Sequence, residues 1–529
     1  MLQAIANVGS GSRAVVALSN PTALPLVVFA WFAATAWLRP LSLPDEGRYV
    51  GVALEMMWSG NWLVPTLDTL PYFHKPPLFY WATAASLATF GISEWAARLP
   101  SLLAATGCVI GVYHFLRRWV GDGHARITLL ALVTTPLLYG GAQFANLDML
   151  VTACTAGTIL CAAHAVLASD NGPLSRPALA AAYALAALGL LAKGLIGVVI
   201  PAMVIGIWLV FIGRPGVILR LVWLPGVALF GLIALPWFLL VQARYPAFLD
   251  YFFVHHHLER YTTQGFNSRR PFWFTVVVFA GTTMPWFVFL AGAIRKRGHV
   301  PAGGMSRQVH ALMWIWVVST LIFFSIPNSK LIGYMMVAAP PLGALAAEGL
   351  VRAAGTPARV PLGVLRVVLI AILVGAAMLV GVLFRDRDRD NTRALAAQLA
   401  PLFASPADPL VAVSNYPFSL PFYLQRPPPL RIVEDWGESW VTHKDTWRRE
   451  LAEAAEFDPE RGKRLLLRPA GLLVLLTCST RTVWLIVPRA SAEGLPRLPG
   501  LQRIARVGDD EVWRNLPANP SDLRPDCAP

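Results

Sequence analysis

The chain has 529 residues, of which 56% are hydrophobic and only 14% are charged. Soluble domains carry about 25% charged residues, so the composition excludes an ordinary soluble globular protein. The net charge is +14, but the basic residues are scattered through short loops, which argues against nucleic acid and suits contact with membrane lipids. No two of the five cysteines form a close CxxC pair, so neither a metal knuckle nor a disulfide framework is expected.

Long apolar runs between Thr22 and Phe384 predict an all-α, polytopic membrane region. A helix needs about 20 apolar residues to cross about 30 Å of hydrocarbon, and most of these runs reach that length. The predicted spans are residues 22–39, 95–116, 125–143, 146–168, 177–193, 194–213, 220–242, 272–294, 310–326, 331–351 and 360–384. The first run ends at Arg39-Pro40 without a cleavage site and is expected to be a retained helix. A shorter run, Pro77 to Gly91, is either a span or an interfacial helix, which gives about eleven to thirteen transmembrane helices.

The basic residues predict the topology, because short loops rich in lysine and arginine remain cytoplasmic. Such loops contain Arg117, Arg118, Arg126, Arg214, Arg220, Arg295, Lys296, Arg297, Arg307, Arg352 and Arg359. Alternation then places residues 40–76 and 243–271, the links near 146–148 and 328–330, and everything after Phe384 on the opposite side. In a Gram-negative host, this side of the inner membrane is the periplasm.

Residues 385–529 differ in composition from the membrane region, residues 1–384. They are charged and contain short strand-like runs, Leu410–Val413 and Val483–Val487, beside a helix-like stretch, Trp447–Phe457. The pattern predicts a small α/β domain outside the membrane.

The first outer loop carries the most informative polar residues. Pro44 is followed by Asp45 and Glu46, two acids that suit the first turn of a helix reaching about Ser59. Asp45 and Arg48 then share one face just above the membrane. This pair is either an ion pair at a helix start or part of a functional site.

The segment Tyr72–Leu78 ends the same loop. Pro76 and Pro77 fix an extended entry into the next helix and hold His74 and Lys75 at the interface. Lys75 is a point cation suited to a phosphate, or alternatively a lysine that snorkels and marks a helix end.

Other polar residues fall at the outer ends of later spans. Asp148 ends a long apolar helix, where an acid is costly and indicates function unless it caps the helix. The remaining candidates are His255 and Arg260 in the segment Phe253–Tyr261, Lys330 and Tyr334 in the segment Pro327–Tyr334, and Lys193. Acids and cations from separate loops thus meet on one membrane face, as an active site for an anionic, lipid-linked substrate requires.

These motifs together resemble a known family. The run Asp45-Glu46-x-Arg48-Tyr49, Lys75-Pro76-Pro77, Asp148 and Ser329-Lys330-Leu331-x-x-Tyr334 are similar to those of the GT-C glycosyltransferases of the dolichyl-phosphate-mannose-protein mannosyltransferase superfamily. Within it, the chain resembles most the bacterial 4-amino-4-deoxy-L-arabinose transferases of lipid A. The resemblance implies a GT-C fold, a periplasmic active site and a sugar donor carried on undecaprenyl phosphate.

The resemblance also implies roles for single residues. Asp45 matches the catalytic acid of the first loop, and Arg48 and Asp148 match its polar partners. Lys75 and Arg260 match the cations that hold the lipid phosphate. Tyr72, His255, Lys330 and Tyr334 match further substrate-binding positions.

One position departs from the family pattern. The aminoarabinose transferases usually carry a glutamate before Lys-Pro-Pro, and this chain carries His74. His74 and His255 are candidate ligands of a divalent metal such as Zn²⁺.

The expected function is transfer of a sugar from an undecaprenyl-phosphate donor to lipid A, or to another part of lipopolysaccharide, at the bacterial inner membrane. The alternatives are transfer of a different sugar, protein O-mannosylation, or transport of polyprenyl-linked sugars. Transporters place ionisable residues near the membrane midplane and often contain repeats, whereas here these residues lie at one face and no repeat is evident.

Overall fold

The computed structural model describes residues 22–169, 172–259, 269–294, 305–354, 360–389, 392–403, 405, 407–443 and 446–517, without the side chains of 255–259, 360–361, 382–389 and 442–443. The helices of the membrane region are α1 (Leu24–Ala33), α2 (Asp45–Ser59), α3 (Leu78–Phe90), α4 (Glu94–Trp119), α5 (Asp122–Thr134), α6 (Pro136–Ala142), α7 (Leu147–Leu167), α8 (Arg176–Lys193), α9 (Ile196–Phe211), α10 (Val217–Leu221), α11 (Leu224–Arg244), α12 (Phe274–Thr282), α13 (Leu290–Ile294), α14 (Arg307–Ser325), α15 (Ala339–Ala354) and α16 (Val360–Arg389). A π-helical segment, Asp250–Glu259, and 3₁₀ segments, Trp286–Phe289 and Ile332–Ala338, lie between them.

The C-terminal region mixes short helices and strands. Its helices are α17 (Thr392–Leu399), α18 (Leu420–Leu424), α19 (Ser439–His443), α20 (Trp447–Glu456), α21 (Pro459–Leu465) and α22 (Pro469–Cys478), with 3₁₀ segments Ala400–Leu402 and Arg489–Gly494. A small hairpin in the first loop supplies β1 (Thr66–Leu67) and β2 (Leu70–Pro71). The C-terminal strands are β3 (Leu410–Val413), β4 (Arg431–Val433), β5 (Leu466–Leu467), β6 (Val483–Pro488), β7 (Leu501–Val507) and β8 (Asp510–Asn515).

The predicted polytopic helical architecture is confirmed. Among the described residues, seven helices are long and apolar enough to cross a membrane, or up to nine if each of two bent pairs is one span. Helices α1, α3 and α9 are apolar but shorter. The predicted total of about eleven to thirteen spans therefore includes segments shorter than a straight transmembrane helix.

Two predicted spans are not straight. The chain bends by 63° between α5 and α6 and by 107° between α12 and the segment Trp286–Ile294. Pro136 opens α6 and Pro285 precedes the second half of the other pair, and proline disrupts the preceding helical turn because it lacks an N–H and its ring clashes there. The indole of Trp286 donates to the Thr134 hydroxyl at 3.0 Å, so the two breaks lie side by side.

The first outer loop forms the predicted helix and an unpredicted hairpin. Helix α2 runs from Asp45 to Ser59 and ends at Gly60, whose φ of 67° is the left-handed conformation that commonly stops a helix. Strands β1 and β2 are joined by Asp68 and Thr69, both at positive φ, as in a two-residue hairpin turn. The turn sequence Asp68-Thr69 lacks the glycine that usually marks such a turn, so the sequence does not predict the hairpin.

The C-terminal region forms the predicted α/β domain around a six-stranded sheet of order β5-β4-β3-β6-β8-β7. Strands β5, β4, β3 and β6 are parallel, and β8 and β7 continue the sheet antiparallel. At the centre, Ala412 pairs with Ile432 on one side and Ile486 on the other. The predicted strands at residues 410–413 and 483–487 and the predicted helix at 447–457 are confirmed within one residue.

The two faces of this sheet have different partners, because alternate side chains of a strand point in opposite directions. Val411, Val433 and Leu485 pack under α22 in a small core of their own domain. Ala412 and Ile486 belong instead to an apolar cluster shared with α2 and α3 of the membrane region. One face of the sheet is therefore buried against the first outer loop.

Polar contacts agree with the predicted sidedness. The backbone N–H of Leu430 donates to Asp68 at 2.8 Å, and Arg461 donates to the Thr69 carbonyl at 2.9 Å. The N–H of Ala145 donates to Glu46 at 2.8 Å. The first loop, the link near residue 146 and the C-terminal domain thus lie at the same end of the bundle.

One cysteine differs from expectation. Cys478, the last residue of α22, is disulfide-bonded, whereas the sequence indicates no disulfide framework. Cys108, Cys154 and Cys161 are free. This single bond was not predictable, because widely spaced cysteines form no recognisable sequence motif.

Candidate active site

Asp45 and Arg48 form an ion pair at the start of α2, as their spacing predicts. Their side chains differ in exposure, with 47% of Asp45 but only 14% of Arg48 accessible. Asp45 is therefore open to a substrate while Arg48 is held in the protein. The catalytic role of Asp45 remains a prediction.

Arg48 has a second acidic partner, Glu450, which lies on α20 of the C-terminal domain. Its guanidinium also lies 5.0 Å from the ring centre of Tyr49 and 5.9 Å from that of Phe418, within cation–π range. The sequence predicted the helix that carries Glu450 but contained no signal for this contact, since the pair is separated by 402 positions.

Glu46, the neighbour of Asp45, has a structural role. It is completely buried and pairs with Arg39 and Arg98, the latter through bonds of 2.8 and 2.9 Å. Burial alone raises the pKa of Glu46, but Arg39 and Arg98 overcome this effect and lower it to about 2. Glu46 is therefore a buried anion that ties α2 to α4, and Asp45 alone of the two acids is available for chemistry.

Tyr72 and His74 lie side by side after the hairpin. Their rings are stacked at 4.5 Å with an interplanar angle of 6°. The Tyr72 hydroxyl donates to Glu450 at 3.3 Å, and His74 Nε2 lies 3.4 Å from a carboxylate oxygen of Glu453. Lys75 is half-buried beside them. Two acids of α20 thus contact the segment for which the resemblance implies substrate binding.

Asp148 is not a helix cap. The side chain of Asn146 caps α7 by accepting from the Asp148 N–H at 2.9 Å, and it donates to the Asp148 carboxylate at 3.1 Å. The same carboxylate forms a largely buried ion pair with Lys193 at the end of α8. The cap interpretation of Asp148 is therefore wrong, and Lys193 lies beside Asp148 as a further candidate residue.

Tyr334 joins this pair to the first loop. The Lys193 ammonium lies 4.6 Å from the centre of the Tyr334 ring, which stacks on Phe324 at 5.0 Å. Burial raises the pKa of Tyr49; Arg48 opposes this, and Asp45, Glu450 and Tyr334 raise it further. The two groups of polar residues are thus within electrostatic range of each other.

Lys330 has different hydrogen-bond partners from these groups. Its side chain is buried, and its ammonium donates to the carbonyls of Arg270, at 3.0 Å, and Pro327. These contacts close the link between α14 and α15 against the segment before α12. A role of Lys330 toward phosphate stays a prediction.

Two predicted residues cannot be placed in the site. Arg260 lies outside the described residues, and His255 is described only as backbone within the segment Asp250–Glu259. Among the described residues, one further metal-binding group lies beside His74, the Glu453 carboxylate. No cluster of three or more His, Cys, Asp or Glu side chains suited to a metal occurs among the described residues.

Known proteins are similar to this chain in both sequence and fold. Residues 74–239 match the family described as dolichyl-phosphate-mannose-protein mannosyltransferase. An undecaprenyl phosphate-alpha-4-amino-4-deoxy-L-arabinose arabinosyl transferase of Aeromonas salmonicida is 32% identical over 336 residues, and one of Aeromonas hydrophila is 30% identical over the same length. Each alignment covers 62% of this chain and 59% of the relative, so the chain matches about three fifths of these curated proteins.

Solved structures extend the similarity to nearly the whole chain. ArnT from Cupriavidus metallidurans bound to undecaprenyl phosphate superposes with a TM-score of 0.77 at 25% identity, covering 94% of this chain and 98% of that one. An oligosaccharyltransferase of Archaeoglobus fulgidus shares the fold more distantly, with a TM-score of 0.51 at 12% identity and coverage of 89% and 69%.

The chain has the GT-C fold of the ArnT structures, and among its described residues at least seven helices are long and apolar enough to cross a membrane. Residues 74–239 carry the match to the dolichyl-phosphate-mannose-protein mannosyltransferase family, and the chain is similar to the ArnT proteins in sequence and in fold.

Proposed function

We propose that the protein is a glycosyltransferase that moves a sugar from undecaprenyl phosphate to lipid A, or to another part of lipopolysaccharide, at the periplasmic face of the inner membrane. The preferred sugar is 4-amino-4-deoxy-L-arabinose and the preferred acceptor is a lipid A phosphate. The observation that carries this proposal is the similarity over 94% of the chain to an ArnT structure holding undecaprenyl phosphate.

The charged groups suit such a reaction. When the bond between sugar and phosphate breaks, negative charge grows on the departing polyprenyl phosphate, and cations placed there stabilise the transition state. Lys75, which precedes α3, and Arg260 are the proposed cations. A lipid A phosphate is already anionic near neutral pH, since its second pKa is about 6, so Asp45 would orient this acceptor more than deprotonate it.

The proposed location has independent support. A disulfide bond persists in oxidising compartments such as the periplasm and is rare in the cytosol. Cys478 is disulfide-bonded and lies in the domain that packs on the first outer loop. The periplasm is therefore the compartment in which this domain and the candidate site would reside.

A divalent ion is a further part of the proposal. Imidazole nitrogen and carboxylate oxygen are both zinc ligands, and His74 and Glu453 already bring one of each to within 3.4 Å. His255 is the second histidine proposed as a ligand. A bound ion there would supply positive charge beside the lipid phosphate. Chelation of the purified protein followed by a transfer assay tests this part, and an unchanged rate rejects a required metal.

The central experiment uses purified protein, undecaprenyl-phosphate aminoarabinose and lipid A. Wild type is expected to release undecaprenyl phosphate and to form modified lipid A, detected by mass spectrometry. Asp45→Asn and Lys75→Ala are expected to abolish transfer without preventing membrane insertion. Glu460→Gln is the control, because Glu460 is an exposed acid of the C-terminal domain that pairs with exposed Lys463.

The results discriminate among the alternatives. Retained activity in both site variants contradicts the assigned site. Transfer with another sugar or to a protein acceptor identifies a different GT-C activity. Movement of the lipid-linked sugar across a vesicle membrane without transfer identifies a transporter instead.

A further inference from the structure

Helix α20 of the C-terminal domain presents two acids to the first outer loop. Glu450 and Glu453 are three positions apart and therefore lie on one helix face. Only 7% of the Glu450 side chain and 12% of the Glu453 side chain are exposed. Buried acids are costly without partners, and each of these has partners in the membrane region.

Glu450 contacts two residues for which the family resemblance implies a role. One oxygen pairs with Arg48 and the other accepts from the Tyr72 hydroxyl at 3.3 Å. Burial raises the pKa of Tyr72 and the Glu450 charge raises it further, against the opposing effect of Arg48. Tyr72 therefore stays protonated and acts as a donor to Glu450.

Arg48 is shared between two carboxylates. It forms ion pairs with Asp45 on its own helix and with Glu450 on α20. Asp45 is the exposed member of the three, at 47%, whereas Arg48 and Glu450 are largely buried. If the Glu450 charge were removed, the buried guanidinium would have Asp45 as its remaining carboxylate partner among these contacts, and Asp45 would be less available to a substrate.

We propose that Glu450 is a positioning residue of the active site, supplied by the C-terminal domain, which holds Arg48 and Tyr72 and so leaves Asp45 open to the acceptor. The inference rests on the proposed transferase function and adds a residue to it. Glu450 acts through Arg48, and its removal therefore affects the chemical step more than the binding of the polyprenyl donor.

A double-mutant cycle on activity tests this role. The variants are Glu450→Gln, Arg48→Gln and the double variant, with Glu460→Gln as the control from the neighbouring helix α21. Glu450→Gln is expected to lower kcat about tenfold and to leave KM for the donor within about twofold. Because the two residues act as one unit, the double variant is expected to be no slower than Arg48→Gln alone.

Other outcomes overturn the inference. Independent, multiplicative losses in the double variant show that Glu450 does not act through Arg48. A raised KM with unchanged kcat assigns Glu450 to substrate binding instead. If Glu450→Gln fails to fold, Glu450→Asp keeps the charge on a shorter side chain, and unchanged kcat in that variant contradicts the need for exact placement.

A failure of the proposed function can be distinguished from a failure of the inference about Glu450. If wild type transfers no sugar from any polyprenyl-phosphate donor, the transferase assignment is wrong. The same four proteins are then compared by thermal unfolding. Non-additive shifts in melting temperature support the coupling between Arg48 and Glu450, and additive shifts overturn it.

Discussion

Lys193 and Asp148 form an ion pair at the outer ends of two neighbouring helices, and the Lys193 ammonium lies 4.6 Å from the Tyr334 ring centre. Only 11% and 13% of the two charged side chains are accessible. Removing one partner of a buried pair leaves an uncompensated charge. The pair therefore fixes the geometry of α7 and α8 where they meet the candidate site.

Lys193→Met is expected to lower transfer at least about tenfold, since Asp148 would lose its cation and Tyr334 its cation–π partner. Lys193→Arg should retain more activity because it restores the charge. The measurement is the rate of lipid A modification by purified protein. Lys463→Met, which removes an exposed lysine of an ion pair, is the control. Full activity of Lys193→Met would show that the pair is dispensable.

Amide substitutions of the two adjacent acids of α2 should affect different properties, stability for Glu46 and transfer for Asp45. Glu46→Gln leaves buried Arg39 and Arg98 without their carboxylate and is expected to lower the free energy of unfolding by about 3 kcal/mol. Asp45→Asn should leave stability almost unchanged but abolish transfer. Thermal unfolding and the transfer assay are measured on both variants. Equal stability of the two variants would contradict the structural role of Glu46.

The stability of the outer loop should fall as pH rises. Burial raises the pKa of Glu55 from 4.5 to about 7, although hydrogen bonds from Thr66, Thr69 and Asp68 oppose the shift. The folded state holds the Glu55 proton more tightly than the unfolded state does. The stability that Glu55 contributes is therefore complete below the unfolded pKa near 4.5, and it is lost as pH rises to about 7.

This contribution amounts to about 3 kcal/mol, at about 1.4 kcal/mol for each pKa unit. The melting temperature of wild type is expected to fall between pH 5 and pH 7. Burial also raises the pKa of Asp68, which favours a change in the same direction. Glu55→Gln should reduce this pH dependence. A slope that is unchanged in the variant would assign the effect to other groups.

Reduction should weaken the C-terminal domain. A disulfide typically contributes about 2–4 kcal/mol by restricting the unfolded chain. Dithiothreitol is therefore expected to lower the melting temperature of wild type and to leave that of Cys478→Ser unaffected. Cys161→Ser, which changes a free thiol in α7, should behave as wild type. Insensitivity of wild type to the reductant would contradict a stabilising bond at Cys478.

The sequence predicted features whose residues are close along the chain. Asp45 and Arg48 are one helical turn apart, so their pairing follows from helix geometry alone. Long apolar runs located the spans for the same reason, and short strand-like apolar runs located β3 and β6. The two bends follow Pro136 and Pro285, which interrupt apolar runs that are long enough to be straight spans.

Contacts between distant residues were not predictable. Glu450 lies 402 positions from Arg48 and 378 from Tyr72, and no local pattern connects them. Lys193 was recognised as a candidate, yet its pairing with Asp148 depends on how α7 and α8 pack. From a single sequence, the buried acid Glu450 cannot be distinguished from the solvent-exposed acids of the same helix.

The burial of one sheet face against α2 and α3 limits how this protein can be recombined. Grafting the C-terminal domain of another homologue onto residues 1–384 would replace the apolar surface facing Tyr72 and the acids that reach Arg48 and His74. A working chimera would need residues 40–76 and the domain from the same parent. The two segments are therefore expected to change together among homologues.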